Sequence, residues 1–144
     1  MGSLDGPRTR KGKGDLAELK VACGLLERGY QIAMPYVEDW DFDLILLRDG
    51  SLERVQVKHS VSKNGVIPVK CRSHSLTNGK VRQTKHYTAR TIDWMAIYDR
   101  TTDRCFYIRA SDLGFGKSIL HLRLAPARND QAAGIRYADD YCDI

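Results

Sequence analysis

Asp43, Gln56 and Lys58 are the residues whose types and spacing suit chemistry. They lie in FDLILLRDGSLERVQVK, residues 42–58, which reads as two short strands joined at Asp49-Gly50, a strong hairpin signal. A two-residue loop pairs Arg48 with Ser51, and a four-residue loop over 48–51 gives the same pairing. Counting outward, Asp43 stands opposite Gln56 and Asp41 opposite Lys58. Directly opposed side chains share a face, with Cβ atoms ~4.5–5.5 Å apart. An acid, an amide and an ammonium group therefore converge. The other face takes Phe42, Leu44, Leu46, Val55 and Val57 as a core layer. An odd-length loop would shift the register by one and disperse the set.

This constellation suits metal-assisted phosphodiester cleavage. Asp43 can hold a hard cation through oxygen, joined by the Gln56 side-chain oxygen or the Val57 carbonyl. Lys58 can orient or help deprotonate the attacking water and offset charge in the transition state. The same alternation also describes an ordinary amphipathic hairpin with a solvated polar face.

The elements that must position these residues follow from periodicity. Residues 15–28 read as a helix with Asp15 as N-cap, Glu18 completing a capping box, and Gly29 as the stop. Leu16, Leu19, Ala22, Cys23 and Leu26 recur at helical spacing. A short strand at 31–35 precedes the hairpin strands at 42–47 and 52–60. Residues 66–72 form another strand, with Pro68 marking an edge or bulge. The stretch 73–91 reads as loop with at most one helical turn, and Asn78-Gly79 as a turn within it. Apolar strands at 94–98 and 105–108 flank a polar turn. A short helix at 111–113 ends at Gly114, the last strand spans 119–124 and stops at Pro126, and 129–144 is a polar tail. Trp40, Trp94 and Tyr98 read as packing residues. The order predicts one α/β or α+β domain over 14–144 with a central mixed sheet flanked by helices, preceded by a flexible basic arm at 1–13.

Composition narrows the setting. A chain of 144 residues with 42% apolar and 28% charged content suits one soluble globular domain. It lacks an apolar run of the ~20 residues that span a bilayer and any signal-peptide pattern, so a cytoplasmic protein is expected. Four widely spaced cysteines read as reduced thiols. Cys71 and His74 have ligand-like spacing, but no second pair completes a zinc site.

The net charge of +5 is unevenly spread. No Asp or Glu occurs from 59 to 92, a stretch that carries Lys63, Lys70, Arg72, Lys80, Arg82, Lys85 and Arg90 with His59, His74 and His86. Arg8, Arg10, Lys11 and Lys13 form a second basic run. Basic residues interleaved with Ser, Thr, Asn and Gln suit a phosphate backbone. The seven Lys and Arg of the acid-free stretch are the candidate DNA contacts; His59 and His86 suit phosphate contact or a base role. A solvated basic loop is the plainer alternative.

The helix with Glu18, the strand with Asp43 and the run Gln56-Val57-Lys58 resemble the PD-(D/E)XK nuclease superfamily, most closely its group I intron homing endonuclease branch. The segments that carry the resemblance are KGDLAELKVACGLLERGY, FDLILLRDGSLERVQVK, TIDWMAIYDRTTDRCFYI and LRLAPARNDQAAGIRYADDY. The resemblance implies a restriction-endonuclease-like core with Asp43 as central metal ligand, Gln56 where a second acid usually stands, Lys58 as motif lysine, and Glu18 completing the site. Phe42 replaces the proline of the family's name. With one carboxylate lost to Gln56, a single Mg2+ suits the set, and Mn2+ can substitute. The implied activity is metal-dependent cleavage of duplex DNA by a homodimer or homotetramer, encoded by a prokaryote, phage or intron. The alternatives are a Holliday-junction or other structure-specific nuclease acting on branched DNA, and a non-catalytic DNA-binding module.

Overall fold

A computed structural model describes residues 6–77, 80–114, 118–125 and 134–144, with nothing to be said of the side chains at 73–85. Among these residues a five-stranded sheet runs β1-β2-β3-β7-β8. Its strands are β1 (Gln31–Ala33), β2 (Leu44–Arg48), β3 (Ser51–Ser60), β7 (Trp94–Asp99) and β8 (Arg104–Arg109). Asp49 and Gly50 form the two-residue loop, both at positive φ, and Arg48 pairs with Ser51. The register is therefore the expected one. β3 and β7 run parallel and every other pairing in this sheet is antiparallel, so the sheet is mixed.

The strands alternate as a pleat requires. Leu44, Leu46, Val55, Val57, Trp94, Ala96 and Tyr98 face α1 (Arg10–Glu27) and form one core with its Ala17, Val21 and Leu25. Met95, Ile97, Phe106 and Ile108 face the other way. That second face is covered by strands instead of a helix: β4 (Val66–Lys70) and β9 (Ile119–Arg123), in a sheet ordered β10-β9-β4 with β10 (Arg136–Tyr137). β7 is consequently buried along its whole length.

Several sequence expectations are corrected. The helix begins at Arg10, with Thr9 as N-cap accepting from the Gly12 N–H (3.0 Å). Asp15 is thus inside the helix and caps nothing, and Arg10, Lys11 and Lys13 belong to α1, not to an arm. A Cβ at Gly12 would sit 3.0 Å from the Thr9 hydroxyl, so the close cap explains a glycine there. The buried helix stripe is one step out of phase with the expected one: Leu19 and Leu26 are 64% and 57% exposed. Gly29, at φ +86°, ends the helix as expected: its N–H and that of Tyr30 bond Leu26 and Leu25 in a Schellman arrangement.

The stretch 73–91 is not a loop. It holds the hairpin of β5 (Arg72–Thr77) and β6 (Lys80–His86), whose linking residues Asn78 and Gly79 lie outside the described residues, as does Pro126. Pro68 sits on β4, an edge of its sheet, as its missing N–H demands. The 3-10 turn Ala110–Leu113 closes at Gly114 as expected, whereas the polar tail contains β10 and a second 3-10 turn, Ala138–Tyr141. Phe42 packs against the Met95 and Ile97 core instead of beside Leu44 and Leu46, because β2 starts only at Leu44. Trp94 and Tyr98 are buried, but Trp40 is 51% exposed, edge-on to Phe42 at 5.2 Å.

Candidate active site

The site forms where β2 ends and β3 continues. Asp43 stands one residue before β2, and its N–H still bonds the Val55 carbonyl (2.9 Å). Its side chain then takes the place of the missing strand: Asp43 Oδ2 accepts from the Val57 N–H at 2.8 Å. The carboxylate therefore lies at the sheet edge, close to the sheet plane, instead of standing on the Gln56 face as simple alternation suggests. From this edge it is reachable from both faces.

Glu18 comes from the α1 face and shares a side-chain hydrogen bond with Asp43. Two carboxylates in contact cannot both keep a full charge without compensation. Burial, reinforced by Asp43 and more weakly by Asp15 and Glu38, pushes Glu18 up to about 7. Burial also raises Asp43, opposed by the Val57 N–H, the Glu18 bond and the charge of Lys58. Burial raises both carboxyls, so the pair keeps a proton above the ordinary carboxylate range.

Lys58 arrives from the opposite face, half-buried. Burial lowers its pKa against the opposing pull of Asp43, and its ammonium sits 4.8 Å from the centre of the Tyr87 ring. Gln56 is buried, and its Nε2 donates to the Val57 carbonyl (3.3 Å). The structure thus brings Glu18 against Asp43 and sets the charge of Lys58 against Asp43. It sets Gln56 against the Val57 carbonyl, its amide turned to the backbone and not to the two acids.

Residues 8–144, nearly the whole chain, match the family model for PD-(D/E)XK endonuclease. The chain belongs to the PD-(D/E)XK endonuclease family. Among solved structures it is similar to the bacterial homing endonuclease I-Ssp6803I, with a TM-score of 0.74 and 22% identity over 92% of this chain and 88% of that one. That likeness shows a shared fold. No curated protein matches.

PD-(D/E)XK endonucleases generally use divalent metal ions, and the donor set here fits one. Among the described residues no group of three or more His, Cys, Asp and Glu is gathered. Two acids suffice for a hard cation that keeps waters and phosphate oxygens as further ligands. Glu18 and Asp43 are two acids that could hold such a cation, with the Gln56 amide and Val57 carbonyl as neutral oxygens nearby.

The remaining candidates scatter. Asp41 lies outside the β2–β3 ladder, and its charge acts on Arg54. Cys71 is buried. Lys63, Lys70 and Arg72 are exposed and line one groove beside Lys58. Arg90 is exposed elsewhere, its carbonyl accepting from Arg54 (3.0 Å). His86 is exposed at the end of β6. Lys80, Arg82 and Lys85 lie on β6, but their side chains are outside the described residues, as is that of His74. Sequence reasoning missed that Arg10, Lys13 and His121 line the same groove as Lys63. The signal was available in the basic run just ahead of Glu18, once the helix is started at Thr9.

Proposed function

We propose that this chain is a Mg2+-dependent endonuclease that hydrolyses phosphodiester bonds in duplex DNA, in a homing-endonuclease-like role. The observation that carries the reading is Glu18 set against Asp43 just before β2, with the charge of Lys58 against Asp43. A hydrophilic surface face has no need to press two acids together, whereas a cation site does. Glu18, Asp43 and Gln56 would hold the metal, which when bound polarises the scissile phosphate and its leaving oxygen. Asp43 is fixed by the Val57 N–H and so aims its free oxygen without a search. Lys58, which burial makes readier to release a proton, orients the attacking water and helps take its proton as the bond from phosphorus to the leaving oxygen breaks. The contacts proposed for the DNA are Lys63, Lys70, Arg72, Lys80, Arg82, Lys85 and Arg90. Cutting both strands needs two sites, so the working form is a homodimer or homotetramer.

The test is cleavage of a randomised duplex library and of a four-way junction, with Mg2+, with Mn2+ and with chelator. Metal-dependent duplex cutting is expected. Cutting confined to the junction would point to a structure-specific nuclease, and no cutting with either metal would refute the activity.

A further inference from the structure

β3 outruns β2. The ladder between them ends at Leu44 opposite Val55, while β3 continues to Ser60, so its last residues have no strand on that side. A groove of about 910 Å³ opens along this edge. Its floor is the end of β3 from Val57 to Ser60, with Val61 just beyond it. One wall is the first turns of α1, with Arg10 and Lys13; the other is β4 and its surroundings, with Lys63, Lys70 and Arg72. Among the described residues no Asp or Glu lines it. Arg10, Lys13, Lys63, Lys70 and Arg72 are all exposed, and none of them has a described ion pair that would neutralise it.

Two further observations tie this groove to the reaction. Lys58 lines the groove and also feels Asp43, and Gly14 of the α1 wall stands one helical turn before Glu18. The groove therefore starts at the acids and leads away from them. His59, on its floor, has an Nε2 shut off from solvent with no partner among the described residues. A buried polar atom left so costs about 1–3 kcal/mol, which a bound acceptor or donor would relieve.

We infer that this groove is the track for the sugar-phosphate backbone of the strand being cut, on one side of the scissile bond, with Arg10 and Lys13 of α1 closing over it from above and Lys63 and Lys70 from below. The inference rests on the nuclease reading and assigns it a substrate path. At ~3.3 Å per residue, the floor is about 13 Å long. Recognition here is by phosphate charge and carries no sequence information.

The experiment uses the full chain and a fluorescent random-sequence duplex in chelator, so that binding is read without cleavage. The variant is Lys13→Ala/Lys63→Ala/Lys70→Ala. A charge-matched control, Lys20→Ala/Arg28→Ala/Arg104→Ala, removes three cations that line a different cleft. Circular dichroism checks that both remain folded. Each lost phosphate contact flattens the plot of log affinity against log salt by about 0.9, so the groove variant should lose about 2.7 in slope and the control less than about one. Cleavage by wild type in Mg2+ is measured in parallel. If wild type cuts and the two variants lose equal slope, or the groove variant loses none, the groove assignment falls and the nuclease reading stands. If wild type binds with the groove-dependent slope and does not cut, the groove stands only as a duplex-backbone site and its role in cleavage falls with the nuclease reading. If wild type neither binds nor cuts, both fall.

Discussion

Replacing Glu18 with Gln should stabilise the metal-free protein at alkaline pH while removing its activity. Glu18 is pushed from 4.5 to about 7 by burial and by Asp43. Each pKa unit corresponds to about 1.4 kcal/mol. The whole displacement would be worth about 3 kcal/mol, but Glu18 is only partly buried, and solvent screening reduces this to about 1 kcal/mol. The folded state binds this proton more tightly than the unfolded chain does. Its contribution is therefore complete below about pH 4.5 and is lost as pH rises through about 7. Gln keeps the shape and donates to Asp43 at every pH, so Glu18→Gln should match wild type near pH 5 and exceed it by about 1 kcal/mol at pH 8. For a domain of this size, about 1 kcal/mol is about 3 °C in Tm. Added Mg2+ at ten times its Kd should raise wild type by a further ~1.4 kcal/mol at pH 8 and the variant by much less. Thermal melts at the two pH values, with Mg2+ and with chelator, measure all of this. A Tm difference that does not change with pH, or a variant less stable than wild type at pH 8, would refute the shared proton.

Asp43→Ala and Lys58→Ala should each slow cleavage by at least ~10²–10³-fold, read in single-turnover assays, while duplex affinity in chelator stays within a few-fold. Asp43→Ala should in addition expose the Val57 N–H, read as faster amide exchange at that one position. Leu46→Ala, at a fully buried position between α1 and the sheet, should cost about 2–5 kcal/mol in urea denaturation. Gly29→Ala should cost about 1–2 kcal/mol, because its left-handed backbone penalises a Cβ although nothing occupies the space around it.

The hairpin was legible because its information is local: Asp49-Gly50 fixes the loop, and the loop fixes the register from Leu44↔Val55 to Arg48↔Ser51. Glu18, Asp43 and Lys58 were legible through the family resemblance and the register together. What failed needed tertiary knowledge. The helix carries two interleaved apolar stripes, and only the sheet beneath it selects Ala17, Val21 and Leu25 over Leu19 and Leu26. Gly12 and Gly14 lower helix propensity by about 1 kcal/mol each, which hid a start that packing and the Thr9 cap enforce. The β5–β6 hairpin is built from RSHSLT and KVRQTKH, mostly polar segments with no apolar alternation in sequence to reveal it. Asp43's position at the sheet edge was invisible because alternation holds only inside a strand, and β2 begins one residue later.

The parallel pairing of β3 with β7 carries a consequence for folding. The β2–β3 hairpin closes over two residues, so Asp43, Gln56 and Lys58 can come together within microseconds in an otherwise disordered chain. Glu18 cannot. It reaches Asp43 only when α1 docks on a surface that includes Trp94, Ala96 and Tyr98, and β7 joins β3 from about forty positions along the chain. Non-local strand pairing of this kind is slow, since loop closure precedes its reward. The second carboxylate therefore arrives with the last cooperative step. A chain still emerging from synthesis, or one partly unfolded, has Asp43 in place without Glu18, so under the function proposed above the cutting activity would appear only with the completed native state.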